Sequence, residues 1–324
     1  MQLLVLVPSV RHEGFTIAFG WHLSDPWVAK ALGRMGPGLL AAGIYPINAF
    51  ISTMLASTLP DGAQIVLLNS GMMGEMVLGL FAMSLATAGL PTLSRQAQAN
   101  DWKGMNGSLT QSLSASLLLV LPASVGLAVL SRPVCALLFR TGAYSAVASD
   151  WTAVTVMFQC GGLAFVASQR LGNQALYALR DYRGPAVLAA MTLVLNIGLS
   201  LALLKPLGTG GLALANGLAS LAGLAGLWLR LRPQLPGLLI RPILTTSAKV
   251  LAASAVMGLL TWGGGRLLSL DAPHSFTRSA LALRLLPLVA LCAVIYFAVV
   301  VALGHVEAMS LLKKLNGKLW RSNV

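Results

Sequence analysis

The sequence predicts an all-α integral membrane protein with about eight transmembrane helices, and three observations carry that prediction. Only 10% of the 324 residues are charged and 56% are hydrophobic, where an ordinary soluble domain has about 25% charged residues. Mean hydropathy is +0.79. Apolar runs of about 20 residues, enough to cross bilayer hydrocarbon as a helix, recur along nearly the whole chain. One membrane domain therefore explains a length that would suggest two domains in water.

In chain order the apolar runs cover residues 35–59, 65–90, 109–130, 151–179, 185–204, 210–229, 243–263 and 285–303. Pro46, Pro122 and Pro287 lie inside the first, third and eighth, where each removes a backbone hydrogen bond and tends to kink the helix. The second run carries the only acidic residue within a span, Glu75, and the fourth is the most polar, with Gln159, Ser168, Gln169, Arg170, Asn173 and Gln174. The sixth repeats small residues at Gly211, Ala215, Ala219 and Gly223, a smooth strip suited to close helix packing. The longest loop, between the last two runs, is too short to fold as a soluble domain. The opening MQLLVLVP lacks a basic n-region and ends its apolar stretch at Pro8, so it reads as the tail of a missing helix and not as a signal peptide.

An even number of crossings puts both ends of the spanning region on one side. The loop set containing both termini carries fourteen of the 22 Lys and Arg and the opposite set six, with Arg170 and Lys249 inside spans. The positive-inside rule then places both termini in the cytoplasm. This distribution also explains the formal charge of +13 without nucleic acid, since no basic helix face is interleaved with aromatics.

Catalytic and metal chemistry lack their usual groups. Cys135, Cys160 and Cys292 have no CxxC spacing and sit in or beside apolar runs, where a thiol acts as a small hydrophobe. His12, His22, His274 and His305 are scattered with no ligand spacing, so no metal and no cofactor is expected. No phosphate-binding loop, nucleophile elbow or loop carboxylate pair is present, and the chain does not read as an enzyme.

The candidate functional residues are the polar groups at membrane depth: Glu75, Arg170, Asn173, Gln174 and Asn48. A carboxylate there costs about 2.5 to 3.5 kcal/mol on insertion scales, so Glu75 either lines an aqueous cavity or bonds to Ser or Asn on a neighbouring helix and ties two helices together. Arg170, Asn173 and Gln174 share a helix face by three- and four-residue spacing. That face either meets water and an anionic substrate, or Arg170 extends its stem to the interface near Arg180. Asn48 and Asn196 are intramembrane amides that bond across helices more often than they bind substrate.

Several stretches carry a family resemblance: INAFISTMLAS (Ile47 to Ser57), GLFAMSLATAGLPTLSRQA (Gly79 to Ala97), LPASVGLAVLSRPVCALLFRTGAY (Leu121 to Tyr144), LYALRDYRGP (Leu176 to Pro185) and the turn Gly208 to Leu214. In this order and spacing, over essentially the whole chain, they resemble the lipid II flippase family, MurJ or MviN. The resemblance implies a multidrug/oligosaccharidyl-lipid/polysaccharide exporter fold, with two six-helix lobes around a central cavity and two C-terminal helices forming a groove for the lipid tail. This chain looks like the second lobe plus those two helices. On that mapping residues 1–34 are the end of a truncated helix and a cytoplasmic connector, 35–230 the six-helix lobe, 231–304 the additional pair and 305–324 a basic cytoplasmic tail.

The resemblance also implies a function. Lipid II, the undecaprenyl-pyrophosphate-linked peptidoglycan precursor, would cross the bacterial inner membrane by alternating access for cell-wall synthesis. Membrane lipids, and a separate polypeptide carrying the first lobe, are the other expected partners. Two departures bear on this. The first lobe, which supplies several cavity arginines in the family, has no counterpart here, and Gly71 and Met72 stand where enterobacterial members carry an Asp-Arg pair. Glu75 matches an acidic position of the family, and Arg170 falls where members often have a basic residue. The alternative function is a half-protein without transport of its own, acting as a membrane scaffold or partner subunit.

Overall fold

The computed structural model describes residues 43–139, 144–237, 240–270, 273 and 276–304. The N-terminal connector, residues 35–42 of the first expected span and the basic tail at 305–324 lie outside the described residues. The elements are α1 (Gly43–Ala56), α2 (Ala63–Gln98), α3 (Trp102–Val129), α4 (Ser131–Phe139), α5 (Ala146–Ala178), α6 (Arg183–Leu231), α7 (Ile240–Leu267) and α8 (Arg278–Ala302). Six of them are long and apolar enough to cross a membrane.

Among these, α6 accounts for two crossings. As a straight rod its 49 residues would extend about 74 Å, more than twice the roughly 30 Å of bilayer hydrocarbon. It reverses at Gly208, whose φ of 56° and ψ of −133° are non-helical. A Cβ placed on Gly211 would lie 3.1 Å from the Cβ of Leu203, a proximity that only a fold-back produces. The sequence predicts a loop over 205–209; one glycine makes the turn, because glycine alone adopts this backbone without strain. Thr155 pins the turn to α5 through a 2.7 Å hydroxyl hydrogen bond with Thr209.

Helix α2 is longer than the expected 65–90 and runs through Pro91 to Gln98. The apolar run measures the hydrocarbon, whereas the helix continues past it into polar sequence that includes Arg95. Its middle turns, Leu78–Met83, are π-helical and begin three residues after Glu75. The short α4 lies where the sequence predicts a loop. Its nine residues are too few to span, so the hydropathy pattern does not show it.

The two halves of α6 pack along α5, and the helix pair is close enough to need glycine. A Cβ on Gly162 would overlap the backbone of Gly217, and Gly223 abuts Gln169 and Thr192. The predicted strip, Gly211, Ala215, Ala219 and Gly223, is buried. At the far end of this pair Asp181 accepts hydrogen bonds from the Gly184 N–H (2.8 Å), Arg230 Nε (2.9 Å) and Gln234 Nε2 (2.9 Å). Burial alone would push the Asp181 carboxyl up; these hydrogen bonds and the Arg230 charge outweigh it and hold the group at about 2.

Helices α7 and α8 pack outside this assembly, α7 on α3 and α8 on α7 and α4. Each caps the other's C-terminal end: Lys249 Nζ donates to the Leu303 carbonyl (3.2 Å) and Arg284 Nη1 to that of Leu268 (2.9 Å), cations meeting the negative ends of helices. Pro122 has no N–H to give the carbonyl four residues earlier, Leu118. The buried Tyr296 hydroxyl donates to that carbonyl at 2.6 Å, joining α8 to α3 inside an apolar cluster with Met257, Leu285 and Cys292. All three cysteines are free and buried.

Candidate functional site

Helices α1, α2, α5 and both halves of α6 surround a cavity of about 510 Å³. Gly71, Gly162 and Gly217 contribute no side chain to its lining, and this leaves room between otherwise close-packed helices. The walls carry one carboxylate, one guanidinium and a series of amides and hydroxyls.

The carboxylate and guanidinium face each other. Arg170 donates through Nη2 to Glu75 Oε1 at 2.7 Å and through Nη1 to Oε2 at 3.2 Å, a two-pronged pair that matches the planar fork of arginine to a carboxylate. Tyr45 adds its hydroxyl to Glu75 Oε1 at 2.8 Å. The Arg170 side chain is 23% exposed and that of Glu75 46%, so the pair borders the open part of the cavity. Of the two readings of Arg170, the observed direction is toward Glu75 in the cavity and not toward the loop at Arg180. Glu75 ties helices together as the second reading of that residue requires, with Arg170 and Tyr45 as partners in place of Ser or Asn.

Four of the five candidate residues, Glu75, Arg170, Asn173 and Asn48, line the cavity, and Gln174 does not. At about 100° per residue, the α5 lining residues Gln159, Gly162, Leu163, Val166, Gln169, Arg170 and Asn173 fall in one sector with Gln169 and Leu163 at its edges, and Gln174 lies just past the Leu163 edge. Four-residue spacing from Arg170 puts a residue near the face; three-residue spacing puts it nearer the centre here. Asn48 is bridged to α6, accepting from Asn196 Nδ2 at 2.6 Å. The sequence reading missed Tyr45 and Asn216 and did not select Gln159. Tyr45 stands one turn before Asn48, a spacing that could have identified it.

A sequence profile of the family described as Lipid II flippase MurJ matches residues 1–281. The chain belongs to that family. A Rhizobium meliloti (strain 1021) protein called "Probable lipid II flippase MurJ" is 27% identical over 312 residues, covering 94% of this chain and 57% of its own length. A Vibrio cholerae protein of the same description is 28% identical over 305 residues, covering 94% of this chain and 58% of its own. Among solved structures, "Lipid II flippase MurJ, inward closed conformation" aligns with a TM-score of 0.68 at 20% identity, over 91% of this chain and 58% of that one. "Outward-facing conformation of a multidrug resistance MATE family transporter of the MOP superfamily" aligns with a TM-score of 0.51 at 17% identity, over 87% of this chain and 66% of that one. These likenesses establish the all-α MurJ-type membrane fold expected from sequence. The chain spans about half the length of the curated relatives it matches.

Proposed function

We propose that this chain forms the C-terminal part of a lipid II flippase. Its cavity would take the anionic headgroup of the undecaprenyl-pyrophosphate-linked precursor on its way across the inner membrane. The supporting observation is the Tyr45–Glu75–Arg170 cluster on the cavity wall. While the cavity is empty, Glu75 compensates Arg170 and holds its donors in place; an arriving pyrophosphate competes for those donors, and Glu75 keeps the Tyr45 hydroxyl. A guanidinium suits this exchange because its fork grips phosphate oxygens as it grips a carboxylate.

Alternating access would rock the α1–α6 unit, read as a six-helix lobe over 35–230, against a first lobe carried on the same or a separate polypeptide. The α7–α8 pair would guide the polyprenyl tail. The fourteen-to-six distribution of Lys and Arg supports cytoplasmic termini.

Lipid II translocation by the full-length gene product in proteoliposomes tests this reading. Arg170→Ala is expected to slow transport by about tenfold or more, the scale of losing charge-assisted hydrogen bonds, while membrane insertion is retained. Arg170→Lys keeps the charge but loses the fork and should fall between. Unchanged transport in both Arg170→Ala and Glu75→Ala removes the pair from the mechanism. Absence of lipid II binding and transport in the wild type overturns the flippase reading in favour of a scaffold or partner subunit.

A further inference from the structure

Neither α7 nor α8 contributes a residue to the cavity lining, so what the pair does in transport depends on how it is joined to the lobe. The joint begins where α6 ends at Leu231, and α7 starts at Ile240. A free connection of this length has an r.m.s. span of roughly 15 Å and would let α7 wander against the lobe.

This connection is pinned at three successive residues. Gln234 Nε2 donates to Asp181 Oδ2 at 2.9 Å, in the turn between α5 and α6. Leu235 is fully buried, in an apolar cluster with Leu109 and Leu231 and against Trp102. The Pro236 carbonyl accepts from Asn106 Nδ2, on α3, at 2.8 Å. The segment thus crosses from the α5–α6 turn to the start of α3 with a polar anchor at each side and an apolar one between them.

Two further levels hold the pair. Midway along the helices a Cβ on Gly258 would come 2.7 Å from Val125 Cγ1, so α7 seats its backbone against α3, and the Tyr296 hydroxyl bonds to the Leu118 carbonyl. At the end opposite the connection, Arg278 Nη2 reaches the Leu138 carbonyl of α4 at 3.5 Å. A hinge needs a few residues free to change their backbone angles, and those of 234–236 are held; a slide would unseat Gly258 from Val125.

We infer that residues 232–237 are a strap that fixes α7–α8 to the α3–α6 part of the lobe as one rigid body. The pair then rocks with the lobe, and a lipid tail lying along it keeps its position relative to Arg170 throughout the crossing. The inference rests on the flippase reading and adds to it which parts move together.

Locking the joint in the full-length protein tests it. With the three native cysteines replaced by alanine, Val125→Cys and Gly258→Cys bring two Cβ atoms to at most about 4.2 Å, within a disulfide's reach. The oxidised protein should transport lipid II in proteoliposomes at the rate of its reduced form. Transport lost on oxidation and recovered on reduction overturns the inference. If the double variant does not insert, spin-label distances decide, from Lys103 to Leu244 at the strap end and from Arg132 to Leu267 at the other, all four sites being exposed. Each distance should stay within about 2 Å between lipid II-free and lipid II-bound protein in nanodiscs, the scale of adjustment between packed helices, and a larger change in either overturns the rigid joint. Asn106→Ala combined with Gln234→Ala should broaden the Lys103–Leu244 distances and leave those from Arg132 to Leu267 unchanged; no broadening, or equal broadening at both ends, overturns the strap. A wild type that transports nothing removes the flippase reading, while the distances still judge the joint.

Discussion

Deleting the hydroxyl of Tyr296 isolates the hydrogen bond that joins the C-terminal helices to α3. The ring is 2% exposed, and its hydroxyl meets the Leu118 carbonyl, which Pro122 deprives of its helical donor. Tyr296→Phe keeps the ring and leaves that carbonyl buried and unmet, at a cost of about 1–3 kcal/mol. Pro122→Ala supplies the missing N–H, so in that background Tyr296→Phe should cost less than about 1 kcal/mol. The coupling between the two positions is therefore expected at about 1–2 kcal/mol, within the range for residues sharing one partner. Reversible unfolding of the four proteins in mixed micelles measures it. An equal cost of Tyr296→Phe in both backgrounds would refute the argument, because the hydroxyl would then act by packing and not by satisfying Leu118.

Three further outcomes follow from the geometry. Gly162→Val places carbon where the Gly217 backbone lies, so α5 and the second half of α6 must separate; a loss of about 3 kcal/mol or more is expected in thermal unfolding, and a stability like that of wild type would refute the close approach. Gly208→Ala forces a non-glycine residue to φ 56° and ψ −133° and should destabilise by about 1–3 kcal/mol, measured the same way, whereas a neutral effect would mean the turn readily adopts another backbone. Asp181 titrates at about 2 in the fold, below its usual 3.8, so the fold favours the ionised form. Its stabilisation is complete above about pH 4 and is lost as pH falls toward 2. Relative to Asp181→Asn, the wild type should be more stable by about 1 kcal/mol at pH 6, a figure discounted because Arg230 is half exposed, and the two curves should converge on acidification.

The crossings were legible because a bilayer forces a single solution, about 20 apolar residues in a helix that satisfies its own backbone. Where the structure departs from the expected spans, the signal did not encode the feature. Hydropathy follows the hydrocarbon and not the helix, so it stops at Leu90 while α2 continues to Gln98, and it passes over α4 altogether. The turn at Gly208 is set by one residue's backbone freedom, which an apolar run conceals.

The site was legible by the same economy of polar groups. A lone carboxylate within the spans needs a partner, and Arg170, a cation on the most polar span, supplied it. Which neighbours share the cavity is a rotational question that sequence spacing answers only to within about one residue, or 100°. That resolution retained Asn173 and admitted Gln174, which lies just beyond the lining sector. It could not show that Gln159 and Asn216, on different helices, face a common space, because that depends on the close approach at Gly162 and Gly217. The same glycines that bring the helices together add no side chains to the wall, so the amides near Arg170 border the open space of the cavity. Charge drew attention to the centre of the site, and packing determined its walls.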